Sequence, residues 1–469
     1  MSVEFLRQSL AQGVKPLSGL RVIDSSHVFA IPFATAILGE LGAEVIKVQA
    51  HTRIDVMASY GPFPENDPGD RPFDRVGCLN MVNRSKKGIS LDLTKPEAVE
   101  IFRKLVAVSD VLAESFTPRV MKKLGLDYDS LIKIRPDLVM LSNTGYGHTG
   151  PWSDYGSVAT ALEGTTGMCW LSGFEDGPPS KVGQSYTDFL ATWNAVYAIL
   201  ASLFRRKRTG KGQWIDLSMY QCGAATLGLA IMDYAANGRI QERAGNHHPF
   251  MAPHNVYPCA GEDRWIAIAV DSDSAWEALR QEMGHPVWAA NNRFADTAGR
   301  LAAEAEIDDH LAGWTADLNA FQLAERLQAR GIMAGVVENG RDLFFDQQLA
   351  ARGFLEPVDH NPASGVGRRQ YIGRPWTMSD ADLGIPCPPP MLGEHNRAVL
   401  TELGYSESDI ERLTETGVIA DTPTATRPLR PLALDQMRKR KRIGTFDPHY
   451  RDGMVTGEAY KNESGRMPS

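Results

Sequence analysis

The stretch LRVIDSSHVFAIPFATAILGELGAEVIKVQ, residues 20–49, decides the fold. It opens with an apolar run at residues 20–26 that predicts a strand, followed by a turn at residues 27–32. The next segment, PFATAILGELG, has apolar residues at helical spacing, and AEVIKVQ at residues 43–49 predicts a second strand. A strand, a helix and a strand in this order predict a βαβ unit with two parallel strands.

Further strands alternate with helices along the next hundred residues. GISLDL at residues 88–93, DVLAESF at 110–116 and LVMLSNT at 138–144 predict strands, and residues 96–109 predict a helix. This alternation predicts an α/β fold, with a Rossmann-like large domain whose parallel sheet is covered on both faces. The turn after the first strand reads SSHVFAIP and has no GxGxxG, so the dinucleotide-binding fingerprint is absent.

Changes in composition divide the chain into four segments. Pro, His and aromatic residues are frequent at residues 245–258, which predicts a loop. The last segment is rich in Pro and Arg and poor in apolar residues, which predicts a tail that lies over the surface or over a partner. The predicted segments are the first part of the large domain at 1–235, a smaller α/β domain at 240–340, a return segment that completes the large domain at 345–421, and the tail at 422–469.

Charge and cysteine content exclude several classes of protein. The 469 residues carry 49 Lys and Arg against 57 Asp and Glu, a net charge of −8, so no nucleic-acid partner is expected despite RKRKR at residues 438–442. The five cysteines lie far apart, without a CxxC pair or a Cys/His cluster, so neither a disulfide framework nor a metal site is predicted. A reducing cytoplasm is the predicted location.

No membrane contact is predicted either. The N-terminus contains Glu4 and lacks a long apolar core, which argues against a secretory signal. The longest apolar run, residues 189–204, is short for a bilayer span and includes Thr192 and Asn194. It predicts a buried helix over residues 188–206, whose apolar face comprises Phe189, Trp193, Val196, Leu200 and Leu203.

Asp188 is the residue that could carry chemistry. It follows a polar, glycine-containing loop, GPPSKVGQSYTD, and stands at the first turn of the apolar helix. One interpretation is a helix N-cap, since Asp accepts hydrogen bonds from the free amides of a first turn. The other is a carboxylate nucleophile held in a fixed direction. The residues alone leave both interpretations open.

Seven motifs occur in an order that identifies a family. The sequence resembles the class III coenzyme A transferase family, which includes formyl-CoA transferase, carnitine CoA-transferase and α-methylacyl-CoA racemase, from about residue 17 to residue 419. The resemblance implies an interlocked-ring dimer, either a homodimer or a heteromer with a related subunit. The motifs are LSGLRVIDSSHVFAIPFATAILGELGAEVIKV (17–48), NRSKKGISLDL (83–93), DVLAESFTPRVMKKLGL (110–126), GYGHTGP (145–151), GPPSKVGQSYTD (177–188), RRKRTGKGQWIDLSM (205–219) and LGEH (392–395).

The resemblance also implies a reaction. CoA moves between an acyl-CoA thioester and a free carboxylic acid through a covalent intermediate on the residue that matches Asp188. Coenzyme A is then a substrate and carrier, and no tightly bound cofactor is expected. In the racemase branch a histidine serves as a second acid or base, but here that position falls on Val158, so a transferase is favoured over an isomerase. A non-catalytic subunit of a heteromeric transferase is a further alternative.

The same resemblance implies the residues that bind CoA. A family arginine that contacts CoA is replaced by Ala50, and Gly156 replaces a second basic contact. The missing positive charge for the CoA phosphates could come from Arg53, Arg84, Lys86 or Lys87. The implied CoA-binding residues are His27, Val28, Phe29, Ala30, Leu91, Asp92, Leu93, Thr94, Ser115, Phe116, Thr117 and Lys123.

A glycine-rich active-site loop of formyl-CoA transferase has no counterpart in GNHHPFMAPHNVYP, residues 245–258. His247, His248 and Tyr257 in this loop are predicted to bind a larger, partly apolar or aromatic acyl group. The alternative is a purely structural loop.

Overall fold

The computed structural model describes residues 15–59, 61–424, 432–448 and 450–451. These residues form two compact units. Unit 1 contains the described residues of 15–166, 183–228 and 347–451. Unit 2 contains residues 167–182 and 229–346.

Eleven strands occur within the described residues. They are β1 (Arg21–Ser25), β2 (Glu44–Gln49), β3 (Lys87–Ser90), β4 (Val111–Glu114), β5 (Val139–Thr144), β6 (Gln213–Ser218), β7 (His254–Pro258), β8 (Trp265–Ala269), β9 (Met333–Val336), β10 (Leu355–Asp359) and β11 (Arg368–Ile372). In unit 1, six strands form a parallel sheet of order β3-β2-β1-β4-β5-β6. The predicted α/β fold with a parallel sheet is therefore confirmed.

The α-helices of the described residues belong to both units. In chain order they are α1 (Ala30–Glu40), α2 (Pro72–Arg75), α3 (Gly77–Asn83), α4 (Pro96–Ala107), α5 (Pro118–Lys123), α6 (Tyr128–Leu131), α7 (Ala159–Thr165), α8 (Met168–Leu171), α9 (Tyr186–Thr209), α10 (Met219–Ala225), α11 (Gly228–Asn237), α12 (Asp273–Glu282), α13 (Thr297–Ala302), α14 (Glu304–Thr315), α15 (Ala320–Ala329), α16 (Gly340–Phe344), α17 (Gln347–Ala351), α18 (Asn396–Glu402), α19 (Glu407–Glu415) and α20 (Leu434–Lys439).

The first βαβ unit forms where its sequence predicts it. In β1 and β2, Val22 pairs with Val45 and Ile23 with Ile46, and all four side chains are buried. The helix α1 begins at Ala30, two residues before the predicted Pro32, because proline in a first turn needs no hydrogen bond from its nitrogen. Every residue of α1 is buried, so this helix forms the centre of one face of the sheet.

The strand predicted at residues 88–93 ends earlier, at Ser90. The N–H of Asp92 donates to the carbonyl of Val418, and Thr94 Oγ1 donates to Oδ1 of Asp92. These bonds turn the chain out of the sheet, so Leu91 to Thr94 form a loop at the carboxyl end of β3.

The buried face of α9 is narrower than the sequence predicted. The stripe that faces the core consists of small or slender side chains, whereas Phe189, Trp193, Leu200 and Leu203 are partly buried and pack at its edges. Small residues let α9 approach α1 closely. The buried side chains are Thr187, Asp188, Ala191, Thr192, Ala195, Val196, Ile199 and Ser202.

The return segment supplies α18 and α19, whose buried Val399, Leu400, Ile410 and Leu413 complete the core on the second face of the sheet. Unit 2 has its own core around the antiparallel sheet β7-β8-β9.

Within unit 1, the tail residues that the structure describes contact the same chain: Asn66 Nδ2 donates to the carbonyl of Leu432 at 3.1 Å. Residues 425–431, 449 and 452–469 of the predicted tail lie outside the described residues.

Candidate active site

The turn after β1 brings four predicted CoA-binding residues to the carboxyl end of the sheet. The N–H of His27 donates to Ser115 Oγ at 3.0 Å, which links this turn to the loop after β4. The ring of His27 packs edge-on against Phe116, with centroids 5.6 Å apart. His27 belongs to the motif at residues 17–48, whereas Ser115 and Phe116 belong to the motif at 110–126, and the adjacency of β1 and β4 brings the two motifs together.

Val28 has a left-handed backbone with φ of 67°, which a β-branched residue adopts at a cost of about 1–3 kcal/mol. Its N–H donates to Oδ2 of Asp55 at 2.6 Å, and Oδ1 of Asp55 accepts from the N–H of Met57 at 3.0 Å. Asp55 is buried and holds the strained turn in place. Asp55 lies in none of the sequence motifs, because its contact with Val28 exists only in the folded chain.

Asp188 lies next to the same turn. Phe189, the residue that follows it, packs edge-on against Phe29 with centroids 4.9 Å apart. One turn further along α9, Thr192 Oγ1 donates to the carbonyl of Ala30 at 2.9 Å. The structure therefore brings the predicted nucleophile close to the predicted CoA-binding turn, residues 27–30 of unit 1, which is called the CoA turn below.

Asp188 is the third residue of α9, and Ser185 occupies the N-cap position. The N–H of Asp188 donates to the carbonyl of Ser185 at 2.9 Å. The N-cap interpretation of Asp188 is therefore wrong. Asp188 is 8% exposed, and it stands in the first turn, where the helix dipole stabilises a carboxylate.

The four candidates for phosphate binding differ in their positions. Lys86 is completely buried and donates to Asp24 Oδ2 at 2.7 Å, and Arg84 is completely buried and donates to Glu40 Oε1 at 2.7 Å. Neither is available to a phosphate. Lys87 pairs with Glu44, whereas Arg53 is exposed and lines a small depression that His27 and Ala50 also line.

Asp24 is the centre of a buried charge cluster beneath the turn. It accepts hydrogen bonds from Lys86 and from Lys47 Nζ, the latter at 3.1 Å. Burial favours a neutral Asp24, but the two lysines outweigh burial and hold its pKa below the usual value. Burial and the Lys47 cation likewise lower the pKa of His27, against the effect of Asp55.

The other predicted CoA residues follow β3 or β4 along the chain. Leu91 and Asp92 are buried, and Leu93 is partly buried against the core. Thr94, Thr117 and Lys123 are exposed, the last at the end of α5. These exposed side chains are the ones that a bound molecule can reach.

Glu114 is a second acidic residue of the site, which lies within the motif at residues 110–126 but was not among the predicted site residues. It ends β4, is completely buried, and accepts from the N–H of Phe116 at 2.7 Å through Oε2. Burial raises the pKa of the Glu114 carboxyl to about 7, although hydrogen bonds from Ser142 and Phe116 oppose the shift. The carboxyl thus supports the loop that contains Ser115 and Phe116.

Val158, at the position where the racemase branch has a histidine, has no acidic or basic group. Val158 is 69% exposed. His148 donates through its backbone N–H to Asp216 at 3.0 Å, and its ring packs on Trp214 with centroids 5.2 Å apart. Burial lowers the pKa of His148. These contacts explain His148 as a structural residue of its loop.

Unit 2 contains the loop predicted to bind the acyl group. Tyr257 is 1% exposed, and its hydroxyl donates to Asp308 Oδ1 at 2.6 Å, which favours a structural function over the predicted substrate contact. His247 is partly exposed and pairs with Glu304 at 2.8 Å. His248 packs against His254 with centroids 5.1 Å apart. The two histidines remain predictions as acyl-group contacts.

The described residues bear on metal binding and on membrane crossing. No group of three or more His, Cys, Asp or Glu side chains in that part of the chain is arranged to hold a metal ion. None of the described helices combines the length and the apolar character that a membrane crossing requires.

Comparison with known proteins identifies the family to which this sequence is similar. The sequence model for CoA-transferase family III matches residues 17–396. The chain is 33% identical over 406 residues to "Succinyl-CoA--D-citramalate CoA-transferase" of Chloroflexus aurantiacus, covering 86% of this chain and 98% of the relative. It is 32% identical over 410 residues to "Succinyl-CoA--L-malate CoA-transferase beta subunit" of the same organism, covering 86% and 98%.

A solved structure shares the fold. The crystal structure of a CAIB/BAIF family protein from Brucella suis superposes with a TM-score of 0.75 at 33% sequence identity. The match covers 83% of this chain and 99% of that protein.

Proposed function

The chain belongs to CoA-transferase family III, and we propose that it moves CoA from succinyl-CoA to a second carboxylic acid by way of a thioester on Asp188. That it is an acyl-CoA:carboxylate CoA-transferase follows from the family. The observation that supports Asp188 as the nucleophile is its position beside the CoA turn, one residue before the Phe189 ring that packs on Phe29.

The proposed reaction needs no external energy source, because one thioester is exchanged for another. A carboxylate oxygen of Asp188 attacks the thioester carbonyl, the C–S bond breaks, and CoA leaves as a thiolate, giving a mixed anhydride. The thiolate then attacks the carbonyl carbon of Asp188 and releases the donor acid as a carboxylate. The product is an aspartyl-CoA thioester.

The acceptor completes the cycle by the reverse steps. Its carboxylate attacks the Asp188 carbonyl and expels the CoA thiolate, forming a second mixed anhydride. The thiolate attacks the acyl carbonyl of the acceptor, which yields the new acyl-CoA and restores the Asp188 carboxylate. Over the whole cycle, one thioester and one free carboxylate are consumed, and one of each is formed.

The names of the relatives support the substrate class. The two named above transfer CoA from succinyl-CoA to citramalate and to malate, which are short acids with two carboxylates. We therefore propose a short dicarboxylic acid as acceptor in place of the larger, partly apolar or aromatic acid that was one interpretation of the loop. Incubation with a panel of acyl-CoA donors and free acids, read by mass spectrometry, tests this choice.

Peptide mapping tests the mechanism. The protein is incubated with succinyl-CoA and then treated with hydroxylamine, which converts a reactive aspartyl acyl group to a hydroxamate, or with borohydride, which reduces it. We expect the modification on the peptide that contains Asp188. An adduct on Cys169 or Cys222 instead would assign the chemistry to a thiol.

We also propose that the protein assembles as an interlocked dimer, with a second copy or with a related subunit. The name of one relative, a beta subunit, supports the second possibility. In unit 2, the helix α11 carries apolar side chains that are more than half exposed, and such a patch is typical of a protein interface. They are Leu229 (77%), Ile231 (57%), Met232 (69%) and Tyr234 (62%). The cytoplasm remains the proposed location.

A further inference from the structure

Glu163 is buried beside the first turn of α9, the helix that carries Asp188. Its side chain is 0% exposed, and Oε1 accepts a hydrogen bond from the backbone N–H of Tyr186 at 2.6 Å. Tyr186 is the first residue of α9 and Asp188 is the third. The carboxylate of Glu163 therefore holds the same helical turn that presents the carboxylate of Asp188.

A second bond joins the same two helices. Thr187 Oγ1 donates to the carbonyl of Ala159 at 3.4 Å, and Ala159 begins α7, which also contains Glu163. On α9, the bond from Thr192 to the carbonyl of Ala30 ties the next turn to the CoA turn. The start of α9 is thus held both by α7 and by the turn that precedes α1.

This arrangement is energetically less favourable than an ordinary helix cap. Oε2 of Glu163 is buried and has no hydrogen-bond partner among the residues that the structure describes, which is unfavourable for a carboxylate. Ser185, at the N-cap position, has a left-handed backbone with φ of 49°. By contrast, α19 is capped by the side chain of its own Ser406. Unfavourable features of this kind cluster at functional sites.

We propose that Glu163 is a positioning residue for CoA transfer: it fixes the first turn of α9, so that the Asp188 carboxylate meets the thioester carbonyl in one orientation. The inference rests on the proposed function of Asp188 as the nucleophile. Because Glu163 acts through a hydrogen bond to the backbone, the reach of its acceptor oxygen matters more for the rate than its charge. Misplacing a reacting group by about 1 Å can cost about 10²-fold in rate.

Two variants separate reach from charge. Glu163→Gln keeps an acceptor oxygen at the same reach and removes the charge, whereas Glu163→Asp keeps the charge and shortens the side chain by one methylene. We expect Glu163→Gln to form the Asp188 adduct at nearly the parent rate. Glu163→Asp should lose about 10²-fold in single-turnover rate and in kcat, with the Kd for acyl-CoA unchanged.

If Glu163→Asp reacts faster than Glu163→Gln, the charge of Glu163 controls the rate. If both variants keep the parent rates, Glu163 only contributes to packing. Either result overturns the proposal. Ser406→Ala is the matched control, because it removes a helix cap elsewhere in unit 1 and should lower stability without changing the rates. If Glu163→Asp does not fold, amide exchange in the parent protein decides: slow exchange at the Tyr186 amide supports the bond, and rapid exchange overturns it.

The test of Asp188 itself stays separate. If Asp188→Ala still turns over, the proposed nucleophile is wrong. If Asp188→Ala is inactive while Glu163→Asp keeps the parent rates, only the positioning function of Glu163 is wrong.

Discussion

The N–H of Val28 donates a 2.6 Å hydrogen bond to Oδ2 of Asp55, and this bond holds a valine in the left-handed region at φ of 67°. The turn that carries Val28 follows β1 and contains residues predicted to bind CoA. Asp55 lies 27 residues further along the chain. The shape of the CoA turn thus depends on a carboxylate outside it.

Removing this carboxylate should weaken CoA binding more than it slows the chemistry. A hydrogen bond to a charged group contributes about 1.5–3 kcal/mol, so Asp55→Ala should raise the KM for acyl-CoA about tenfold or more, with a smaller change in kcat. Steady-state kinetics check this expectation. A parental KM would mean that the turn keeps its shape without Asp55.

Val28→Gly is the companion variant. Glycine adopts a positive φ without the steric cost, so the free energy of unfolding should rise by up to about 1 kcal/mol after its larger conformational entropy is counted. Thermal unfolding of Val28→Gly and of the parent measures the difference. A marked loss of stability would indicate that the Val28 side chain contributes packing that outweighs the strain.

Asp188→Ala should lower CoA exchange by several orders of magnitude, because the substitution removes a covalent pathway. The Kd for CoA should stay near the parent value. Stability should change by no more than about 1 kcal/mol, the usual effect of an acidic residue in a first helical turn. Isotope exchange between labelled succinate and succinyl-CoA provides the measurement, and turnover near the parent level would exclude the proposed mechanism.

Glu114→Gln should change how stability depends on pH. Burial raises the folded-state pKa of Glu114 to about 7. Between its unfolded pKa and pH 7, the carboxyl is therefore protonated in the folded chain and ionised in the unfolded chain. The stability from this group is fully present below the unfolded pKa and is lost as pH rises through about 7. The neutral glutamine avoids that loss, so the variant should be more stable than the parent at pH 8, by about 1–3 kcal/mol.

The advantage of Glu114→Gln should vanish near pH 4. Comparing the melting temperatures of the two proteins across this range isolates Glu114 from all other titrating groups. A constant difference between them would show that the carboxyl is not protonated on folding.

Met232→Asp should weaken self-association. Met232 is 69% exposed on α11, and a charge at the centre of an apolar interface usually weakens the complex about tenfold or more. Sedimentation velocity over a range of concentrations measures the effect. Val287→Asp is the control, because Val287 is 91% exposed in unit 2 but lies outside α11. Equal association by both variants would exclude α11 from the interface.

The sequence alone determined the βαβ unit, the parallel sheet and the helix that carries Asp188. These features follow from local patterns, since apolar periodicity and turn residues within 30 positions specify each element. The motifs also selected His27, Ser115 and Phe116, and the neighbouring positions of β1 and β4 bring them into contact.

Only the tertiary structure decided which polar residues support the site. Lys86 resembles a surface lysine in sequence but is buried against Asp24, 62 positions away. Asp55 and Glu163 belong to no recognisable motif, and each acts on a backbone N–H more than 20 positions distant. A hydrogen bond depends on distances of about 3 Å between atoms, and chain folding sets those distances independently of any local sequence pattern.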